Sequence, residues 1–343
     1  MEGRGVSENT KIEWATHTFN PWEGCQKVGP GCDNCYAEAR NRRFGGGVAV
    51  NWGPGAPRRI TSAANWAKPL AWEKNHQAFF EEHGHRQRVF CASLADWADP
   101  AVPPAWRGAL ATVIVATPNL IWLLLTKRIG NAKAMLAKMF PEGMPPNVWI
   151  GATICNQAEA DRDIPKLLEV PAAKRFLSVE PLLGPVDLAQ LLYRPCRSFH
   201  MAGVDPETGA IECCKACDYT GIGEDLALDW VIVGGESGPG ARPMHPDWAR
   251  SLRDQCVAAG VPFFFKQWGE WLPRMAVHHT FQDGKSLADI DPNQEWGLRR
   301  LTLAGGSGPI MPFATNGDAY LQNVGKKMAG RLLDGRTWDE VPS

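Results

Sequence analysis

The sequence predicts an α/β fold, a partial (open) (β/α) TIM-like barrel of about six to seven parallel strands. Three observations carry this expectation. Short apolar runs rich in β-branched and aromatic residues recur along the chain and alternate with segments of helical period. The runs are continuously apolar, as expected for strands covered on both faces of a parallel sheet. Each run also ends in polar residues, and in α/β barrels the site is built from those carboxyl ends. A doubly wound sheet would gather ligands at one crevice instead.

Thr16–Asn20 supplies a first strand, just before a cysteine-containing loop. The runs Arg88–Leu94, Leu120–Lys127, Asn147–Ile154, Arg175–Glu180, Asp229–Glu236 and Val261–Gln267 complete the series. Between them, Pro104–Ile114, Asn131–Met139 and Gln157–Leu168 each show one apolar helical face. Asp247–Ala259 repeats the pattern, with an aspartate at its start and Gly260 at its end as cap chemistry. Strand–helix alternation of this kind builds right-handed βαβ units. The strand ends deliver Ser93, Asp96, Thr126-Lys127-Arg128, Thr153, Glu180, Glu236-Ser237 and Lys266-Gln267. The competing reading is that strand ends are polar simply because they meet solvent.

Two stretches interrupt the pattern, so the barrel is expected over 10–271 with an insertion at 190–226. That insertion carries Cys196, His200, Cys213, Cys214 and Cys217. Residues 272–343 read as an irregular extension, closed by a helix over Lys326–Trp338.

Composition excludes several classes. The chain has 343 residues and a formal net charge of −1, so no global field draws it to nucleic acid or an anionic membrane. Local basic groups such as Arg40, Arg42, Arg43 and Arg58-Arg59 read first as a solvated face. No apolar stretch approaches the roughly 18 residues that span a bilayer. The N-terminus lacks the apolar core of a signal peptide, which points to the cytoplasm. Ten cysteines in such a chain are not a disulfide framework. Cys91, Cys155 and Cys256 stand alone in apolar segments and read as small buried hydrophobes.

Cys25, Cys32 and Cys35 are different, because they share one glycine- and proline-rich loop with no fourth cysteine nearby. Three thiols and a vacancy describe a reactive site better than a structural one. Thiolates select iron–sulfur clusters or zinc over hard cations. The spacing C-x6-C-x2-C fits a three-cysteine [4Fe–4S] cluster, a zinc site or unliganded thiols. It shares only its second half with the C-x3-C-x2-C signature of radical S-adenosylmethionine enzymes. In the insertion, Cys196-x3-His200 and Cys214-x2-Cys217 resemble a zinc knuckle, with Cys213 as an alternative ligand. A second cluster or no metal are the other readings of that set.

Several segments resemble one phage and bacterial family classed as radical-S-adenosylmethionine-like and distantly similar to spore photoproduct lyase. They are Thr10–Trp14, Asn20–Cys25, Gly31–Glu38, Leu124–Arg128, Leu177–Leu183, Gly234–Arg242, Phe264–Gly269 and the closing Lys326–Arg336. The resemblance implies Cys25, Cys32 and Cys35 as [4Fe–4S] ligands on a partial barrel. With S-adenosylmethionine on the open iron, reductive cleavage would yield a 5′-deoxyadenosyl radical. By position, Ser93, Lys127 and Thr153 are candidates for holding the cofactor's carboxylate or ribose, and Glu180, Glu236 and Lys266 for catalytic work. The implied substrate is a nucleobase, nucleotide or DNA, as in phage base modification or a repair-like lyase or isomerase. A reductant such as flavodoxin or ferredoxin would supply the electron, in the host cytoplasm for a phage-encoded chain. The rival is a zinc-stabilised, non-catalytic accessory factor that binds nucleic acid or protein. A hydrolase built on Glu180 and Glu236 has no nucleophile motif behind it.

Overall fold

A computed structural model describes residue 10 and residues 12–189, 191–195, 222–226, 228–274, 298–308 and 317–342. The chain begins with β1 (His17–Phe19), β2 (Trp22–Glu23), helix α1 (Tyr36–Phe44) and β3 (Arg59–Ile60). Three short helices follow, α2 (Ala63–Trp66), α3 (Lys68–Lys74) and α4 (His76–His83). Strand and helix then alternate through β4 (Arg88–Cys91), α5 (Pro104–Val115), β5 (Ile121–Thr126), α6 (Ile129–Met139), β6 (Val148–Thr153), α7 (Gln157–Leu168) and β7 (Lys174–Val179). After β8 (Tyr193–Pro195) and β9 (Ile222–Leu226) come β10 (Trp230–Gly234), α8 (Pro246–Ala259) and β11 (Phe263–Gln267).

The seven expected strands form one sheet in the order β1-β4-β5-β6-β7-β10-β11, and every pair in it is parallel. Strand order never reverses, so there is no switch-point crevice of the doubly wound kind. β1 and β11 are the two edges, which makes the fold an open half-barrel. The insertion enters and leaves through the antiparallel pair β8–β9. The candidate zinc set, Cys196, His200, Cys214 and Cys217, lies outside the described residues.

Alternation along each strand divides the core in two. Val148, Ile150 and Ala152 of β6, like Leu177 and Val179 of β7, pack outward with the helices. The opposite face holds Trp14, Phe90, Leu123, Trp149, Phe176, Trp230 and Phe264. Trp230 sits at the centre of this plug, with ring centroids 5.9–6.4 Å from Trp14, Trp149, Phe176 and Phe264. Two residues further along each inner face the character changes to polar, giving Thr153 beyond Trp149 and Gly151, and Ser178 and Glu180 beyond Phe176. The aromatic plug thus closes the inside of the barrel below, and the polar strand ends remain above it.

The C-terminal expectation needs correction. The stretch is not irregular throughout, because β12 (Trp271–Arg274), β13 (Leu298–Leu301), β14 (Ser307–Gly308) and β15 (Ala319–Asn323) form an antiparallel sheet. Strands of two to five residues are too short to show a periodicity. The closing helix is only α9 (Lys326–Ala329). Gly330, Asp334 and Gly335 all have positive φ, which no helix passes through. The tail instead lies against the β11 edge. Phe265 donates its amide to the Trp338 carbonyl at 2.9 Å, and the Trp230 indole donates to Glu340 at 2.8 Å. Covering an open sheet edge in this way removes a template for aggregation. Cys91, Cys155 and Cys256 are buried, as expected. Among the described residues no helix is long and apolar enough to cross a membrane.

The plug depends on Gly151, where a Cβ would lie 2.3 Å from the Phe176 ring. Gly151→Ala should therefore cost about 1–3 kcal/mol by overpacking. The urea midpoint reads this directly, and an unchanged midpoint would show that the plug is loose.

Candidate active site at the strand ends

The site begins with the cysteine loop, residues 24–35, which crosses the carboxyl ends of the strands before α1 starts. Cys35 is the N-cap of α1, so its sulfur sits at the positive end of a helix. The loop lies directly on the barrel. A Cβ on Gly31 would fall 2.4 Å from the Cys155 sulfur at the end of β6, so only glycine permits this approach.

Two arginines fasten the loop to the strand ends. Arg128, following β5, donates from one Nη to the Cys25 sulfur at 3.3 Å and to Asp96 at 3.0 Å, and from the other to the Gln26 carbonyl at 2.9 Å. Asp96 is buried and also accepts from the Thr126 hydroxyl at 2.6 Å and the Lys127 amide at 3.1 Å. Across the mouth, Glu236 accepts from Arg242 Nη2 at 2.6 Å and Nε at 2.9 Å, from the Arg242 amide at 2.8 Å and from Asn34 Nδ2 at 2.9 Å. Arg242 reaches back into the loop, donating to the Pro30 carbonyl at 2.7 Å and to Asp33 at 3.0 Å. Asn34, between two cysteines, also donates to the Gly240 carbonyl.

A cavity of about 870 Å³ opens between loop and strands. Cys25, Cys32 and Cys35 all line it, as do Ser93, Lys127, Thr153, Glu180, Glu236 and Lys266. Every candidate residue of the barrel therefore borders one space. The solvent explanation for polar strand ends does not hold for Asp96, Thr126, Thr153, Glu236 and Gln267, which are all buried. Within the cavity Lys266 donates to both oxygens of Glu180 at 2.8 Å, and Gln267 adds a bond to Oε1 at 3.2 Å. Ser93 is held by Asn20 at 3.0 Å, and the Tyr36 hydroxyl donates to the Ser93 carbonyl at 2.7 Å.

The thiols themselves suit a soft metal cluster. Burial pushes Cys25 up to about 11, and the Asp96 charge adds to this against the opposing pull of Arg128. Burial also raises Cys35, while the backbone amides of Glu38 and Ala37 and the charge of Lys127 favour its thiolate. Neutral, desolvated thiols with donors already aimed at their sulfurs are poised to exchange protons for a metal. Among the described residues no three His, Cys, Asp or Glu side chains are arranged around a single metal ion. A cluster needs its thiolates further apart than one ion does, because each binds a different iron. Three thiols bordering one cavity are, by their chemistry, the soft donors that an iron–sulfur cluster would take.

Sequence reading missed Arg242, Asn34 and Asn20 as site residues, and placed Glu236 with the catalytic candidates although both its oxygens are engaged in holding the loop. Arg242 pairs with the nearby Glu236, but its link to the cysteine loop is not visible locally, since Asp33 and Pro30 lie some two hundred positions away in the chain.

The family model described as "Protein of unknown function (DUF5131)" matches residues 9–342, so the chain belongs to that family. No curated protein matches it. Among solved structures, spore photoproduct lyase complexed with dinucleoside spore photoproduct is similar at 11% identity and a TM-score of 0.37, over 94% of this chain and 73% of that one. A mutant of that lyase with bound AdoMet and the dinucleoside gives 11% identity and a TM-score of 0.37, over 93% and 72%. Another mutant with the dinucleoside gives 12% identity and the same TM-score, over 81% and 70%.

The Glu236–Arg242 contact has a pH signature. Burial opposes the charge on Glu236, but hydrogen bonds from Arg242 and Asn34 outweigh it and hold the carboxyl below its usual value of 4.5. Its contribution to stability is complete above the unfolded carboxylate value of about 4.3 and is lost as pH falls through the lower folded value. Arg242→Gln should be less stable than the wild type near neutrality and show a flatter acid limb in its stability–pH profile. An acid limb of unchanged slope would show that Arg242 does not hold this carboxylate.

Proposed function

We propose that the chain is a radical S-adenosylmethionine enzyme acting on a nucleobase or nucleotide. The observation that carries this reading is the convergence of three buried-to-half-buried thiols and the polar strand ends on one cavity. When bound, a [4Fe–4S] cluster would pass one electron to the sulfonium of S-adenosylmethionine, breaking the C5′–S bond to give methionine and a 5′-deoxyadenosyl radical.

The chain's own residues have separable tasks. Cys25, Cys32 and Cys35, which all line the cavity, would hold the cluster through three thiolates. Arg128 keeps Cys25 in place and offsets its negative charge when the thiol ionises. Lys127 has no acidic partner for its ammonium group among the described residues, so its charge is available to the cofactor carboxylate. Ser93 and Thr153 offer hydroxyls at neighbouring strand ends for the ribose or carboxylate. Glu180 and Lys266 form a neutral pair that can exchange one contact for a substrate amide or hydroxyl without leaving a bare charge. The aromatic plug below closes the base of the cavity to water. The nucleobase assignment draws on the sequence resemblance, and a flavodoxin- or ferredoxin-type donor would deliver the electron.

Anaerobically reconstituted protein should be brown, and on reduction with S-adenosylmethionine it should release 5′-deoxyadenosine and methionine, more rapidly with the right nucleoside or oligonucleotide. Cys32→Ala should abolish both colour and product while retaining the fold by circular dichroism. A fully clustered protein that yields no 5′-deoxyadenosine under any substrate condition would contradict the reading. So would a colourless protein that takes up zinc alone, which would favour the accessory-factor alternative.

A further inference from the structure

Helix α1 leaves the third cysteine and runs outward from the cavity. Tyr36, Arg40 and Phe44 stand at i, i+4 and i+8, so they share one helical face. Tyr36 and Arg40 line the cavity, whereas Phe44 lies beyond it. Tyr36 is 56% exposed and Phe44 is 73% exposed. The Arg40 guanidinium lies 5.0 Å from the Phe44 ring centroid, and that of Arg43 lies 5.9 Å from it. Val48 and Val50, in the turn after the helix, are exposed as well. This face makes an aromatic–guanidinium stripe that starts inside the cavity and ends in solvent.

The stripe is positive although the whole chain is not. Residues 22–60 hold six basic and three acidic side chains in a chain of net charge −1, and of the six only Arg58 is buried, against Asp99. Arg40 and Arg59 share the single carboxylate of Glu23, and Lys27 and Arg42 share that of Glu38. Arg43 is exposed and makes no ion pair among the described residues. The exposed Arg43, together with Lys27, Arg42 and Arg59, gives this surface a positive excess that a polyanion can neutralise.

We propose that this face of α1 is a docking track for an unpaired nucleic-acid strand that leads a base into the cavity. The proposal rests on the nucleobase reading above and deepens it. Exposed rings offer stacking platforms to bases, and the flanking guanidinia pair with phosphates. A single strand fits better than a duplex, because bases in a duplex already stack on each other and would have to be extracted to reach the cavity.

The test is fluorescence anisotropy of a labelled oligothymidylate, and of the same strand annealed to its complement, on the full reconstituted chain without reductant. The single strand should bind more tightly than the duplex, with affinity falling as salt rises. Phe44→Ala should weaken binding by about 5- to 150-fold, the equivalent of one lost base stack. Arg43→Gln should weaken it less and reduce the salt slope by about one. Both substituted residues are exposed, so their melting midpoints and their substrate-free 5′-deoxyadenosine yield should match the wild type. No binding of either oligonucleotide, a preference for the duplex, or wild-type affinity in Phe44→Ala would each overturn the track. The two readings fail separately: strand binding without 5′-deoxyadenosine leaves the track and removes the radical chemistry, and the converse result removes only the track.

Discussion

The site depends on how a short loop with little secondary structure is fixed across the end of a barrel. Glycine and proline give that loop no side-chain core, so its position has to come from hydrogen bonds. Two buried carboxylates provide them. Asp96 acts through Arg128 on Cys25 and Gln26, and Glu236 acts through Arg242 on Pro30 and Asp33. Buried ion pairs of this kind add little net stability compared with apolar packing, but removing one partner leaves an uncompensated charge. Their effect here is to select one placement of three thiols relative to seven strand ends.

The rest of the barrel serves that placement. The parallel sheet without reversal turns every strand end toward one mouth. The aromatic layer below fills the interior that a half-barrel would otherwise leave open, and it sets the floor from which Thr153, Ser178, Glu180 and Lys266 rise. The C-terminal tail covers the last edge strand, where an unclosed barrel is exposed. Charge is arranged by zone. At the mouth Arg128–Asp96, Arg242–Glu236 and Lys266–Glu180 are paired, and along α1 basic side chains outnumber the carboxylates they share.

Much of this was legible from the sequence because it is local. Continuous apolar runs mark the seven strands, and the polar residues after them mark the cavity lining, with Ser93, Lys127, Thr153, Glu180 and Lys266 all reached this way. The helices at 104–115, 129–139, 157–168 and 246–259 follow from their apolar period. What escaped is long-range or short. Arg242 and Asn34 matter through partners far along the chain, and the strands of the C-terminal sheet are too brief to show alternation. Lysine, leucine and alanine after position 326 suggest a longer helix than α9, whereas Gly330 and Gly335 bend the backbone through positive φ.

The proposed function requires that Cys25, Cys32 and Cys35 together hold one [4Fe–4S] cluster with an iron open to S-adenosylmethionine. Electron–nuclear double resonance on the reduced, reconstituted protein with S-adenosylmethionine labelled at its amino nitrogen and carboxylate oxygen tests it most directly. The account predicts hyperfine coupling to both labels, as expected when they bind a unique iron. A cluster showing no coupling to either label in the wild-type chain would contradict it.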